Sequence, residues 1–187
     1  MICLSSGNYD GLGQIRELEL KKVGLFFGFQ DVKVVDDPLL QDGMQEKWPK
    51  ERVGEQIGLY IDSIPNGVDL IITFDKDGVS SHPNHKDVYQ GVMHFFNQKS
   101  HHFDLMTLQS VNIVLKYTGY IGALMQYPFS YTFYPDSIFD TIRALQNHES
   151  QLVWYRILFT FFSRYAFINT FDFYHANTNT MTIEYIQ

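Results

Sequence analysis

Seven residues, Val68 to Phe74 (Val-Asp-Leu-Ile-Ile-Thr-Phe), constrain this chain most: the run is short, β-branched and almost continuously apolar, the pattern of a buried strand. A parallel strand covered by helices on both faces has this composition. Its carboxyl end runs into Asp75-Lys76-Asp77-Gly78-Val79-Ser80-Ser81-His82-Pro83-Asn84-His85, which brings two carboxylates and two histidines to one place. Ligands in open α/β sheets gather beyond the carboxyl ends of the parallel strands, and Gly78 permits a sharp turn there. Pro83 suits the first turn of a helix, which sets His82 at the helix entrance and His85 within the first turn. On spacing alone, such a His-x-x-His reads either as a metal-binding pair or as surface and capping histidines.

The rest of the chain frames this stretch. Ile2 to Ser5 is the tail of a strand, followed by a turn-rich loop from Gly7 to Gly13 and a helix on which Leu12, Ile15 and Leu18 share a spacing while Arg16, Glu17 and Glu19 take other faces. Gly24 is expected to stop it. Gly7, Gly11 and Gly13 have the wrong offsets for a dinucleotide-binding turn. Val32 to Val35 predicts a second strand, and a helix from about Glu51 to Ile64 carries Val53, Ile57, Tyr60, Ile61 and Ile64 on one stripe. After His85, Val88, Val92, Phe95 and Phe96 continue the helix inward, and His94, His101 and His102 read as surface residues. Leu105 to Val111 predicts a strand, Phe129 to Tyr134 an edge strand, and Pro135-Asp136 the start of another helix. Strands alternating with helices in this way specify an α/β fold with a mostly parallel sheet.

Composition excludes some classes of function. With 187 residues, 45% hydrophobic content and a formal net charge of -7, the chain has material for one globular core and little affinity for a polyanion, which argues against nucleic acid. The single cysteine, Cys3, has no partner for an internal disulfide and reads as a buried residue facing a reducing compartment. No signal peptide is visible at Met1.

Residues 152–168 stand apart, because thirteen of the seventeen are apolar or aromatic, more than one core-facing stripe uses. Arg156 and Arg164 interrupt a run already short of the roughly 20 residues of a membrane span. Two readings remain: a helix in the membrane interface with its arginines reaching headgroups, or a doubly covered core or subunit-contact helix.

Several stretches stand in order: Ser5-Ser6-Gly7-Asn8 through Gly13 and Arg16-Glu17-Leu18-Glu19-Leu20; Thr73-Phe74-Asp75, Gly78 and His82-Pro83-Asn84-His85; Leu108-Gln109-Ser110-Val111-Asn112; and His148-Glu149-Ser150-Gln151-Leu152 with Phe162-Ser163-Arg164-Tyr165. Together they resemble the PIG-L (LmbE-like) deacetylase family, its eukaryotic members in glycosylphosphatidylinositol-anchor synthesis above all. The resemblance extends from residue 2 to about residue 174. It implies a Rossmann-like three-layer α/β sandwich over 1–150, with an aromatic C-terminal helix and tail over 151–187 packed on the same domain. It also implies a metal-dependent hydrolase, the metal being zinc or another divalent ion, that removes acetyl from N-acetylglucosamine linked to phosphatidylinositol.

By position in the motifs, the resemblance makes His85 the metal ligand and His82 the catalytic donor to the oxyanion and amine. Arg16, Asp75 and Asn8 fall on the substrate side. A glycolipid partner, a membrane surface and the cytoplasmic face of the endoplasmic reticulum membrane follow from the same likeness. The chemistry suits these residue types: an amide carbonyl is a poor electrophile, which a Lewis acid polarises and a cationic imidazole stabilises once it becomes tetrahedral.

One departure is visible. Family members carry, before the Ser-x-Gly-Asn loop, a first strand ending in Ala-His-Pro-Asp-Asp-Glu, with two of the three protein metal ligands and the general base. No such motif stands in this sequence. The expectation is therefore a sheet without its first strand and weak metal binding by this chain. The alternatives to the glycolipid deacetylase are a non-catalytic, membrane-side interaction protein and a deacetylase of a soluble acetylated sugar.

Overall fold

In the computed structural model, which describes residues 1–98, 103–124, 131–137 and 139–176, the strands fall into two sheets. The first is a parallel pair, β1 (Ile2–Cys3) and β2 (Lys33–Val34), connected through helix α1 (Gly13–Phe26). Helix α2 (Lys50–Asp62) leads into β3 (Leu70–Phe74), then come the single turn α3 (Gly78–Ser81), the long helix α4 (Pro83–Gln98) and β4 (Asp104–Leu108). β3 and β4 pair in parallel, from Leu70 opposite Asp104 to Phe74 opposite Leu108. After these βαβ units come α5 (Ile113–Lys116), α6 (Gly119–Leu124), β5 (Tyr131–Phe133), α7 (Asp140–Asn147), α8 (Trp154–Phe162) and β6 (Asn169–Tyr174). The second sheet has the order β3-β4-β6-β5, with β6 antiparallel to both neighbours. This is a mixed α/β architecture with parallel pairs formed through βαβ units, as the alternating pattern specifies, and it is consistent with the Rossmann-like fold that the resemblance implies.

The core forms where α2 and α4 cover the sheets. Val53 and Ile57 of α2 meet Val92 and Phe95 of α4, and Leu105 of β4 and Leu4 close the cluster. The helices approach closely because Gly91 has no side chain: a Cβ there would lie 2.1 Å from Val53 Cγ1. Ile71 packs against this cluster, whereas Ile72, its neighbour on the other side of β3, is 61% exposed. The strand is thus covered on one face among the described residues, not on both, which leaves part of its apolar run open.

Other boundaries also differ from the sequence reading. Gly24 lies inside α1, which continues to Phe26, and the helix turns Glu19 and Val23 inward while Ile15 and Leu18 face out. Glu19 is on the buried side because Ser150 hydrogen-bonds its carboxylate through both backbone N–H and hydroxyl. α7 starts at Asp140 rather than at Pro135. Residues 152–168 are not one helix: α8 ends at Phe162, where Ser163 caps a short 3₁₀ turn, Arg164–Ala166.

Arg164, expected to reach toward headgroups, is instead 1% exposed. None of its three guanidinium nitrogens has a hydrogen-bond partner, and burial pulls its pKa below the ordinary arginine value. Cys3 is half-buried, and burial raises its thiol pKa. His94 meets Gln98 through Nε2 at 2.8 Å, while His101 and His102 fall outside the described residues. No helix among the described residues is long and apolar enough to cross a membrane.

Candidate functional site

The site is built at the carboxyl end of β3. Asp75 follows the strand directly, and its carboxylate collects four donors: the N–H groups of Asp77 and Gly78 at 3.1 and 2.9 Å, and the N–H and hydroxyl of Ser110 at 2.5 and 2.6 Å. Ser110 stands just beyond β4, so the carboxylate ties together the loops after the two parallel strands. The Ser110 hydroxyl oxygen also accepts the N–H of Val79 at 2.8 Å.

Between Asp75 and His82 the backbone is strained. Gly78, Val79 and Ser81 all have positive φ, at 65°, 60° and 61°. For a β-branched residue such as Val79 this is a true outlier, of the kind held in place only by surrounding bonds. The turn delivers His82 and His85 to one spot, with ring centroids 5.1 Å apart. His85 stacks on Phe74 at 4.1 Å, and its Nδ1 lies 3.1 Å from the Gly78 carbonyl oxygen. A proton on Nδ1 donated to that carbonyl leaves Nε2 with its lone pair outward, the arrangement in which a histidine ligates a metal. Burial lowers the pKa of His85, the Gly78 contact opposes this, and the His82 ring adds to the lowering.

Two polar atoms of the same motif are buried without partners, Nδ1 of His82 and Nδ2 of Asn84. Buried polar groups are nearly always bonded, so orphans at the mouth of a strand mark a place for a ligand or water. The other face of Asn84 is used structurally, its Oδ1 accepting the Gly43 N–H at 3.3 Å.

Asn8 and Arg16 form a second group, bound to each other's loop rather than to the histidines. Asn8 Oδ1 accepts the Gly13 N–H at 2.9 Å, which holds the start of α1. Arg16 donates to the Gly7 carbonyl and pairs with Asp10 at 2.8 Å, while its Nε is buried without a partner. The structure therefore brings Asp75, His82 and His85 together and assembles Asn8 and Arg16 beside Gly7. Ser110 joins the first group through Asp75 and Val79, a role that nothing in the Gln109-Ser110-Val111-Asn112 stretch announces from sequence.

His85 offers one ligand nitrogen in suitable orientation, but no group of three or more histidine, cysteine, aspartate or glutamate side chains among the described residues could hold a metal ion. The described residues do not make a complete coordination shell.

A strand-end carboxylate locked across two loops, with paired histidines on a strained turn beside it, defines an α/β domain whose titratable groups gather at the ends of its parallel strands. A family model described as PIG-L, GlcNAc-PI de-N-acetylase, matches residues 1–96, which include the whole histidine motif. The probable N-acetylglucosaminyl-phosphatidylinositol de-N-acetylase of Schizosaccharomyces pombe is 36% identical over 177 residues, covering 88% of this chain and 70% of that protein. The protein of the same name from Dictyostelium discoideum is 32% identical over 205 residues, covering 90% and 79%. The N-acetylglucosaminyl-phosphatidylinositol de-N-acetylase of Bos taurus is 31% identical over 185 residues, covering 92% and 71%. The chain belongs to the PIG-L family.

Proposed function

We propose that this chain is the deacetylase domain of an N-acetylglucosaminyl-phosphatidylinositol de-N-acetylase, a hydrolase of glycosylphosphatidylinositol-anchor biosynthesis. Support comes from the names of its relatives over most of its length, and the observation that carries the reading is the His82–His85 pair beside Asp75 at the end of β3. In the proposed reaction water adds to the acetamide carbonyl, the C–N bond breaks, and acetate and a free glucosamine amine leave. His82 hydrogen-bonds the developing oxyanion and then hands a proton to the leaving nitrogen. Asp75 orients the loop that carries His82, its four donors keeping the carboxylate in place. Asn8 and Arg16 meet the sugar from the loop after β1.

The family's chemistry is metal-dependent, and we propose zinc as the ion and His85 as one of its ligands. For location we propose the cytoplasmic face of the endoplasmic reticulum membrane, where the lipid substrate is met through the aromatic surface of α8. Of the domain's two proposed parts, 1–150 carries the chemistry and 151–187 the membrane contact. A second reading, a non-catalytic membrane-side subunit, is favoured by one observation, the incomplete metal-ligand set among the described residues.

The test is deacetylation of N-acetylglucosaminyl-phosphatidylinositol by the purified protein, with metal content measured beside rate. His85→Ala should lose metal and activity together. His82→Ala should keep its metal while turnover falls by about 10²–10³-fold, the usual scale for an oxyanion donor or general acid. Wild-type protein with neither metal nor activity would favour the second reading, and equal loss of metal in both variants would reverse the assigned roles.

A further inference from the structure

Next to the histidine loop the structure holds a cavity of about 910 Å³, within the range of small-ligand sites, that the chemistry above does not use. It lies among α1, α5, α7 and α8 and reaches Ser80 of the strained turn. Its wall is mainly apolar, with Leu145, Leu158, Phe159 and Phe162. Three nitrogenous side chains also line it, Lys116, His148 and Arg156, and no carboxylate does among the described residues. That is a marked bias in a chain whose net charge is -7.

The two permanent cations are not neutralised internally. Lys116 has no carboxylate partner among the described residues; its Nζ lies 5.8 Å from the Tyr117 ring centroid and 5.9 Å from that of Phe159. Arg156 bonds the neutral side-chain oxygen of Gln151. The one buried carboxylate nearby, Glu19, is occupied by Ser150 and His148. A cavity with a greasy wall and two unneutralised cations complements a ligand that is anionic at one end and apolar at the other. A phosphate with a bare acyl chain has this form. Neither an apolar ligand nor a free sugar would use both halves.

From this complementarity we infer that the cavity is the phosphatidyl subsite: Lys116 and Arg156 hold the phosphodiester of a phosphatidyl lipid, and Phe159, Leu158 and Phe162 take the first part of an acyl chain. The inference rests on the glycolipid reading for its substrate, and it adds where the lipid half sits and which residues hold it. Ser80, which lines this cavity, stands two residues before His82 in the chain, so a phosphate held here leaves the sugar end of the same molecule on the side of the histidine loop.

Binding can be measured apart from hydrolysis. Titration of the purified chain with soluble dihexanoyl phosphatidylinositol, dihexanoylglycerol and inositol 1-phosphate separates the contributions of phosphate and chain. The expected result is that the phospholipid binds best, and that Lys116→Met and Arg156→Met each weaken it about tenfold, the scale of one charge-assisted hydrogen bond. Binding of dihexanoylglycerol should not change in either variant. If Arg156→Met does not fold, Lys116→Met alone, with an unchanged melting curve, decides the matter. Equal affinity for dihexanoylglycerol and the phospholipid would reduce the cavity to a greasy pocket and overturn the inference. Equal affinity for inositol 1-phosphate would show a free-phosphate site and overturn it as well. Unchanged phospholipid affinity in Lys116→Met would also overturn it. Protein that binds the phospholipid as expected but does not deacetylate would leave the subsite standing and remove the deacetylase reading alone; a deacetylase with unaltered KM in both variants would do the reverse.

Discussion

Ser110 grips Asp75 twice, its hydroxyl donating to Oδ1 at 2.6 Å and its backbone N–H to Oδ2 at 2.5 Å, although the two residues are 35 positions apart. β3 and β4 are parallel neighbours, so their carboxyl ends lie side by side, and this clamp fixes the loop after one strand to the loop after the other. The Val79 N–H leans on the same hydroxyl.

Ser110→Ala should therefore loosen the turn that carries His82 without dissolving the fold. The backbone bond to Asp75 survives, while the hydroxyl bond and the acceptor for Val79 are lost. A stability loss of about 1.5 kcal/mol is expected from the charge-assisted bond. Turnover should fall by about 10–100-fold, the scale of small misplacements in a reactive geometry. A melting curve beside a rate measurement checks both; full activity in a destabilised variant would separate the clamp from the chemistry.

Gly78→Ala should be worse for the turn than its size suggests. The residue sits at φ 65°, and an added Cβ would come within 3.0 Å of His85 Cβ and 3.2 Å of the Lys86 nitrogen. Left-handed backbone costs a non-glycine residue about 1–2 kcal/mol before that crowding is counted. The expected outcome is a lower melting temperature with displaced histidines, visible as altered ring resonances of His82 and His85. Unchanged resonances would mean that the turn yields elsewhere.

Acid should weaken the junction of α1 with the 3₁₀ turn Glu149–Gln151. Burial acts to raise the pKa of Glu19, but the side-chain and backbone bonds from Ser150, with His148 and Lys22 nearby, outweigh it and leave the carboxyl below its ordinary value. Glu19 binds protons less readily folded than unfolded, so its stabilising contribution is complete above the unfolded value of about 4.3. It is lost as pH falls through the lower folded value. Glu19→Gln should flatten this part of the stability-against-pH curve; an identical acid limb in the variant would place the effect on other groups.

The exposed aromatics of α8 should bind lipid surfaces. Trp154 is 73% exposed, and Phe161 and Phe162 are more than half exposed. Aromatic side chains on one open face are suited to the headgroup boundary. Replacing Trp154, Phe161 and Phe162 with serine should release the protein from liposomes and leave its melting curve in place. Wild-type protein that sediments apart from the vesicles would end this reading.

The stretch from Leu70 to His85 was legible because each local rule agrees: β-branched run, glycine turn, proline at the helix start. The α2–α4 core was legible for the same reason, since Val53, Ile57, Val92 and Phe95 recur at helical spacing and are buried. Long-range satisfaction was not. Nothing around Glu19 announces Ser150, 131 residues away, and nothing around Asp75 names Ser110 as its partner. Arg164 illustrates the converse, a charge whose aromatic surroundings suggest a membrane surface but which the 3₁₀ turn folds inside. β6 was hidden because Asn169-Thr-Phe-Asp-Phe-Tyr follows a long apolar run that itself reads as helix, and its pairing depends on strands far upstream.

The place of β6 also sets a timetable. It is the last described strand in the chain, yet it lies inside the sheet, with Leu105 opposite Tyr174 on one side and Tyr131 opposite Phe171 on the other. During synthesis β3 and β4 can join as soon as β4 has emerged, but the far side of β4 keeps its ladder groups bare until residue 174 has left the ribosome. For that interval the nascent chain carries an open, apolar edge of the kind that pairs with neighbours, and pairing across such long separations is slow. Closure of this sheet therefore waits for β6, and the half-sheet that precedes it is the form a chaperone would shield.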